Sequence, residues 1–204
     1  MSSSSFSPLS PRPSPLPTLA VLAGGAGSRM GKPKAMLTIG EKPILSWLIE
    51  KLQWPGPTLL VTAPAIVRPA GSEFFSAEAT DPVDGNGPLQ GVHTGLSAAK
   101  TELVVFTTVD MPNLDRPKLQ WLVEQLGEHA GVMCRRGEQI EPFPCVLRKP
   151  LVERIEQRLK EGRRSVYGLS FEADVRTLEA PPGWPADTWL NLNRPEDLAT
   201  FEAE

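Results

Sequence analysis

Two spacings of hydrophobic residues recur along the chain, and together they predict strands alternating with helices. Residues 18–23, "TLAVLA", form a nearly unbroken apolar run of strand length, the pattern of a strand buried on both faces. In "PILSWLIEKL", residues 43–52, Ile44, Leu48 and Leu52 recur every four positions, and Pro43 sits in the first turn, which predicts a helix. "TLLVTA" predicts a second strand, whereas residues 64–80 show no clear period. A loop, "DPVDGNGPLQG", leads into a helix over "GVHTGLSAAK". The strongest strand pattern is "ELVVFTTVD", residues 102–110, which ends on Asp110. Leu119, Leu122, Val123 and Leu126 form the stripe of a helix over 116–129. "GVMCRR" and "FPCVLR" read as shorter strands. An amphipathic helix follows with Leu151, Ile155 and Leu159, stopping at Gly162. "VRTLEA" and "WLNLN" precede a last short helix, "RPEDLATFEAE".

This alternation predicts an α/β fold with three layers, a central sheet between helices. The later strands follow one another closely, so the sheet is expected to be mixed, though mostly parallel. Such sheets bind ligands outside the carboxyl ends of their strands. The glycine loop after residue 23 and Asp110 both fall there.

Composition narrows the function further. At 204 residues with 40% hydrophobic content, the chain is long enough for one domain with its own core. No apolar stretch approaches the roughly 18 residues that a membrane span needs. A formal net charge of −3 provides no global basic field for nucleic acid. Cys134 and Cys145 lie in apolar surroundings, and neither they nor His93 and His129 have zinc spacing. Buried thiols and a reducing cytoplasm are expected. The first 17 residues hold seven serines and five prolines, so a disordered tail is expected over 1–17 and a folded domain over 18–204.

The chemistry begins in "LAGGAGSRMGKPKAML". Gly31-Lys32 would complete a P-loop only with glycine at position 26, which is Ala26, and Ser or Thr at position 33, which is Pro33. A dinucleotide fingerprint fails at Met30. Glycines nevertheless let backbone amides approach an anion, Arg29 can fork onto phosphate oxygens, and Lys34 adds a point charge. A solvated strand-to-helix turn is the alternative. Asp110 suits Mg2+, which takes one or two carboxylates plus substrate phosphates, or it simply begins a turn before Pro112. Asp84, in "DGNGPLQG", either binds a nucleotide or holds its turn. In "NLNRPEDL", Asn193 with Glu196 three residues on looks like a helix cap, while Asn191 and Asn193 would face one side of a strand.

Taken in order, "LAGGAGSRMGKPKAML", "DGNGPLQGVHTGL", "TTVDMPNL" and "NLNRPEDL" resemble the molybdenum cofactor guanylyltransferases, which belong to the nucleotidyltransferases of Rossmann-like fold. The resemblance runs from about Leu19 to Leu198. It implies transfer of GMP from GTP to the molybdenum-molybdopterin cofactor, with release of pyrophosphate and Mg2+ as the metal. Leu22, Ala23, Gly24 and Gly25 would cradle the nucleotide, Lys34 would meet the phosphates, Asp84 would contact the nucleotide and Asp110 would bind the metal. Arg29, Lys34 and Asp110 would be the catalytic set, with Asn191 and Asn193 lining the acceptor side. Molybdoenzymes or other cofactor-synthesis proteins would receive the product. Pro33 and Gln90 depart from the family, which has aspartate and alanine there. Cytidylyl transfer, a sugar-phosphate acceptor, and a non-catalytic nucleotide- or cofactor-binding adaptor are the competing readings. Gly24-Gly25 resembles the guanylyl enzymes, whereas cytidylyl relatives show alanine-glycine.

Overall fold

The computed structural model describes residues 16–24, 31–64 and 66–203. The expectation for the Ser/Pro segment therefore lies, apart from Leu16 and Pro17, outside the described residues. β1 (Thr18–Leu22) is buried at every position, and both of its edges are taken by parallel neighbours. One is β4 (Thr58–Thr62), with Val21 opposite Leu60; the other is β6 (Leu103–Thr108), with Ala20 opposite Phe106. A continuous apolar run is what such a doubly covered central strand requires.

A small antiparallel hairpin, β2 (Thr38–Ile39) with β3 (Lys42–Pro43), precedes α1 (Ile44–Leu52). Ile44, Leu45, Leu48 and Leu52 are the apolar residues that α1 buries. The stretch without a readable period, 64–80, ends in β5 (Ala77–Thr80), a short parallel strand at the sheet edge. Its partly exposed residues lack the apolar signal that marks interior strands. α2 (Pro88–Ala98) starts three residues before the expected Gly91, with Pro88 at its first turn. α3 (Arg116–Gln125) is capped by Asp115, which accepts from the Lys118 amide at 3.1 Å. β7 (Gly131–Arg136), β8 (Gln139–Arg148), α4 (Leu151–Lys160), β9 (Val175–Glu179) and α5 (Pro195–Ala203) complete the chain.

The seven-stranded order is β5-β4-β1-β6-β8-β7-β9, and only β8 runs antiparallel to its neighbours. The sheet is therefore mixed and mostly parallel, as the pattern predicts. Strand order reverses between β1 and β6, so a crevice opens at their carboxyl ends. The β1-to-β4 and β5-to-β6 crossovers run in opposite directions, and right-handed crossovers then put α1 and α2 on opposite faces. α4 packs beside α2. α3 is tied to the α1 side by Arg116 Nη1 donating to the Gln53 carbonyl at 3.1 Å. The result is three layers.

The α2 layer sits close to the sheet because Gly95 has no side chain. A Cβ there would lie 2.6 Å from Phe106 Cε1 and 3.7 Å from Ala20 Cβ. Alanine is the better helix former by about 1 kcal/mol. Phe106, however, is fully buried, and overpacking such a ring costs about 1–3 kcal/mol. Gly95→Ala is therefore expected to lower the thermal midpoint. A midpoint unchanged or raised would show that the ring can yield.

Candidate active site

Three polar side chains from remote parts of the chain meet at the crevice. Lys34 opens a single 3-10 turn, Lys34–Met36, held by the buried Ala35 and Leu37. Its Nζ donates to a carboxylate oxygen of Asp110 and, at 2.6 Å, to Asn193 Oδ1. Asp110 lies two residues beyond β6 and is 6% exposed. The backbone fixes it from both sides: Val109 N donates to the Leu22 carbonyl at 3.0 Å, and Leu192 N donates to the Asp110 carbonyl at 2.9 Å. The Asp110 side chain thus faces Lys34 with little freedom to move.

The segment carrying the asparagines differs from expectation. A 3-10 turn, Ala186–Trp189, leads into backbone that passes Asp110 without forming a strand. The N-terminal cap of α5 also differs: Asp197, not Glu196, accepts from the amides of Asn193 at 2.9 Å and Arg194 at 2.8 Å. The Asn193 side chain makes no cap bond; its Oδ1 accepts from Lys34 instead. The Asn191 side-chain amide instead donates to the Trp189 carbonyl at 2.8 Å. Of the paired asparagines, Asn193 joins the cluster and Asn191 holds the segment's shape.

Beside this cluster is a cleft of about 380 Å³, lined among others by Leu22, Gly24, Ala63, Asp81, Gly91 and Asp110. Its size suits a small-molecule ligand. Gly24 is on its wall, where a Cβ would lie 3.4 Å from Ala63 N and 3.7 Å from Asp81 Oδ2. Ala23 is buried behind it. Gly25 and Arg29 lie outside the described residues. Asp84 is on the exposed rim, and its Oδ1 accepts from the Gly85 amide at 2.9 Å, the turn-holding arrangement. Gln90 is buried, accepts from Asn86 Nδ2 at 3.3 Å and donates to Thr94 Oγ1 at 3.5 Å.

Asp81 is the residue that reading the sequence missed. It follows β5, and its amide donates to the Thr62 carbonyl at 2.8 Å. Its Oδ1 is buried with no hydrogen-bond partner among the described residues. Burial pushes its carboxyl above the ordinary range, partly offset by Thr94 and by the charge of His93. Asp81 lines the cleft, and its other oxygen, Oδ2, lies near Gly24 and Gly91 on the cleft wall, where it can take a ligand donor. The signal was available, since an acid at the carboxyl end of a strand is what drew attention to Asp110. Without β5 there was no strand end on which to place it.

The two cysteines are inert by contrast. Burial and the charges of Glu141 and Glu179 push the Cys134 thiol up to about 12, and burial raises Cys145 further. Both are buried, free and protonated at neutral pH.

A cleft at the switch point of a mostly parallel sheet, with an amine and a carboxylate held together at one end, suits a phosphate-bearing ligand, and the sequence relationships assign the class: the protein is a nucleotidyltransferase. The chain belongs to the MobA-like NTP transferase family, whose sequence model matches residues 19–175. It is 33% identical over 194 residues to a molybdenum cofactor guanylyltransferase of Cereibacter sphaeroides, covering 90% of this chain and 94% of that one. A second enzyme of that name, from Vibrio parahaemolyticus, is 28% identical over 183 residues, covering 89% of this chain and 92% of the other. The crystal structure of molybdopterin-guanine dinucleotide biosynthesis protein A from Archaeoglobus fulgidus superimposes with a TM-score of 0.75 at 22% identity. It covers 91% of this chain and 97% of that one. At that identity the superposition speaks for the fold, which is the Rossmann-like nucleotidyltransferase fold expected from the sequence. Among the described residues no helix is long and apolar enough to cross a membrane.

Proposed function

We propose that the enzyme transfers GMP from GTP to the terminal phosphate of the molybdopterin cofactor. The observation that carries this reading is the Lys34–Asp110–Asn193 cluster at the mouth of a nucleotide-sized cleft. The names of its relatives point to the acceptor.

The guanine lies in the cleft with its N1–H and 2-amino donors on Asp81. Adenine and cytosine do not present that pair of adjacent donors, so they leave Asp81 unpaired. Gly24 leaves room for the base, and Leu22 and Ala23 set the backbone on which it rests. The triphosphate then runs toward Lys34, past the rim that carries Asp84.

The metal is Mg2+, and the donors suit it. Among the described residues no three His, Cys, Asp or Glu side chains form a cage. One carboxylate and one amide oxygen, from Asp110 and Asn193, match an ion that takes its other ligands from phosphates and water. When bound, Mg2+ supplies charge neutralisation for the triphosphate.

Lys34 exchanges its contact with Asp110 for the phosphates, which frees the carboxylate as the nucleotide arrives. An oxygen of the acceptor's terminal phosphate attacks the α-phosphorus in line. The bond from that phosphorus to the bridging oxygen breaks, and its electron pair leaves with pyrophosphate. The acceptor phosphate is already ionised at neutral pH, so no general base is required. The residues' task is to align two anions and neutralise their repulsion. Molybdoenzymes or other cofactor-synthesis proteins receive the product. The buried, protonated thiols agree with a cytoplasmic enzyme.

The test is pyrophosphate release with GTP, CTP and ATP, each with loaded molybdopterin or a sugar phosphate. Release only with GTP and the cofactor is the expected result. Release with CTP or with a sugar phosphate would move the assignment to another transferase. No release at all would leave an adaptor. Asp81→Asn separates base reading from chemistry, with kcat/KM for GTP expected to fall about tenfold or more while CTP use changes little. The same change should stabilise the fold. A raised carboxyl means that the folded state holds more protons between the ordinary and the raised value, so stability falls as pH rises through that window. Asparagine has no such penalty. The thermal midpoint of Asp81→Asn is expected to exceed that of wild type at pH 7. The gap should close below about pH 4. A lower midpoint at pH 7 would show that Asp81 is structural.

A further inference from the structure

The loop from Asp110 to Asp115 is tied at its middle to two other elements. Met111 and Leu114 sink into the core, and the polar groups between them are bound on either side. Lys51 Nζ, from α1, donates to the Pro112 carbonyl. Asn113 Nδ2 donates to the carbonyl of Asp187 at 3.1 Å and to its Oδ2 at 2.9 Å. Lys51 stands in the last turn of α1, where a cation ordinarily serves the open carbonyls of its own helix. Here it reaches across to another element. Its amine also lies over the Trp47 ring, 4.8 Å from the centroid. Trp47 in turn meets Phe201 of α5 edge to face, with ring centroids 5.6 Å apart. The charges of Asp115, Lys118 and Asp187 act on the amine as well. Asp115 and Lys118 already pair with each other.

The elements that assemble the Lys34–Asp110–Asn193 cluster therefore converge on Lys51. Through Pro112 it holds the Asp110 loop, two residues from the carboxylate. Through Asn113 and Asp187 that loop holds the turn Ala186–Trp189, which leads to Leu192 and Asn193. Through Trp47 and Phe201 it meets α5, which begins at Pro195, two residues past Asn193. The Leu192 amide on the Asp110 carbonyl closes the circuit. Lys51 itself stands off the cleft wall. A misplacement of about 1 Å at reacting groups can cost about 10²-fold in rate, so a tie this near Asp110 bears on the chemistry.

We propose that Lys51 is a positioning residue, which through the Pro112 carbonyl fixes the 110–113 backbone and with it the aim of the Asp110 carboxylate. This deepens the proposed transfer and rests on the role given there to Asp110. Lys51 touches no substrate and acts through Asp110 alone.

The test uses the full-length protein. Lys51→Met keeps the stem against Trp47 and removes the charge and the donor, whereas Lys51→Arg keeps both. Lys51→Met is expected to lower kcat for pyrophosphate release about tenfold, with KM for GTP changed by less than about twofold. Lys51→Arg should stay within about threefold of wild type. A kcat for Lys51→Met within about twofold of wild type, or Lys51→Arg as slow as Lys51→Met, would overturn the proposal. In an Asp110→Asn background Lys51→Met should cost less than about twofold, because the group it aims is gone. A further loss of about tenfold there would show that Lys51 acts elsewhere or through the fold at large. A second readout needs no acceptor. The thermal midpoint is followed as magnesium is titrated at fixed GTP, and Lys51→Met is expected to need about threefold or more magnesium for half the shift. An equal requirement would overturn the proposal. Absence of pyrophosphate release by wild type with GTP and loaded cofactor would defeat the proposed reaction instead, while the magnesium titration would still decide the role of Lys51.

Discussion

Asp110→Asn is expected to lower kcat by about 10³-fold with little change in the affinity for GTP. The amide keeps the size and one acceptor oxygen, so Lys34 retains a hydrogen bond. In the proposed mechanism, what it loses is the negative charge that would hold Mg2+ against the triphosphate, an effect of several kcal/mol, and about 4 kcal/mol corresponds to that fold-change. The backbone bonds that pin residue 110, from Leu192 and to Leu22 through Val109, do not involve the side chain, so the fold survives. The checks are kcat at saturating GTP across a magnesium titration, with a thermal melt beside it. If the variant turned over at near wild-type rate when magnesium is limiting, Asp110 would not be the metal ligand. If both midpoint and rate collapsed together, the carboxylate would be holding the site rather than working in it.

Lys34→Ala is expected to lose both rate and stability, and the second loss follows only from the structure. The sequence alone places this lysine in a glycine-rich loop beside Pro33, where it would meet a phosphate. Instead it neutralises a carboxylate that is almost fully buried. Removing one member of a buried pair leaves the other charge uncompensated, which costs about 3–5 kcal/mol when both are fully buried. The Lys34 side chain is 19% exposed, so about 2–3 kcal/mol is the fitting scale here. That corresponds to a drop of roughly 5–10 °C in thermal midpoint for a domain of this size. The double variant Lys34→Ala with Asp110→Asn separates the causes. With residue 110 neutral, no buried charge is stranded, so the double variant should melt above Lys34→Ala alone. It should be no more active than either single variant. Additive losses of stability would mean that the pair carries no coupling, and that Lys34 supports the fold through its stem alone.

Much of the architecture was legible because it is local. A nearly unbroken apolar run marks β1, and the four-residue spacing of Ile44, Leu48 and Leu52 marks α1, before any tertiary contact is known. The carboxyl end of β6 was equally readable, so Asp110 and the glycine loop fell at one edge by topology alone. β5 was not readable, because an edge strand of four largely exposed residues has no apolar face to announce it. Asp81 was lost with it.

What only the tertiary structure decided is which polar groups neutralise one another. Lys34 finds Asp110 across 76 residues and Asn193 across 159, separations over which no periodicity carries information. Asp197 caps α5 in place of Glu196, and the Asn193 side chain, instead of capping, reaches Lys34. The chain's pattern of burial specifies its layers because hydrophobic burial is non-directional and sums over many residues. The site depends on single oriented contacts between distant side chains, and those exist only once the layers have closed.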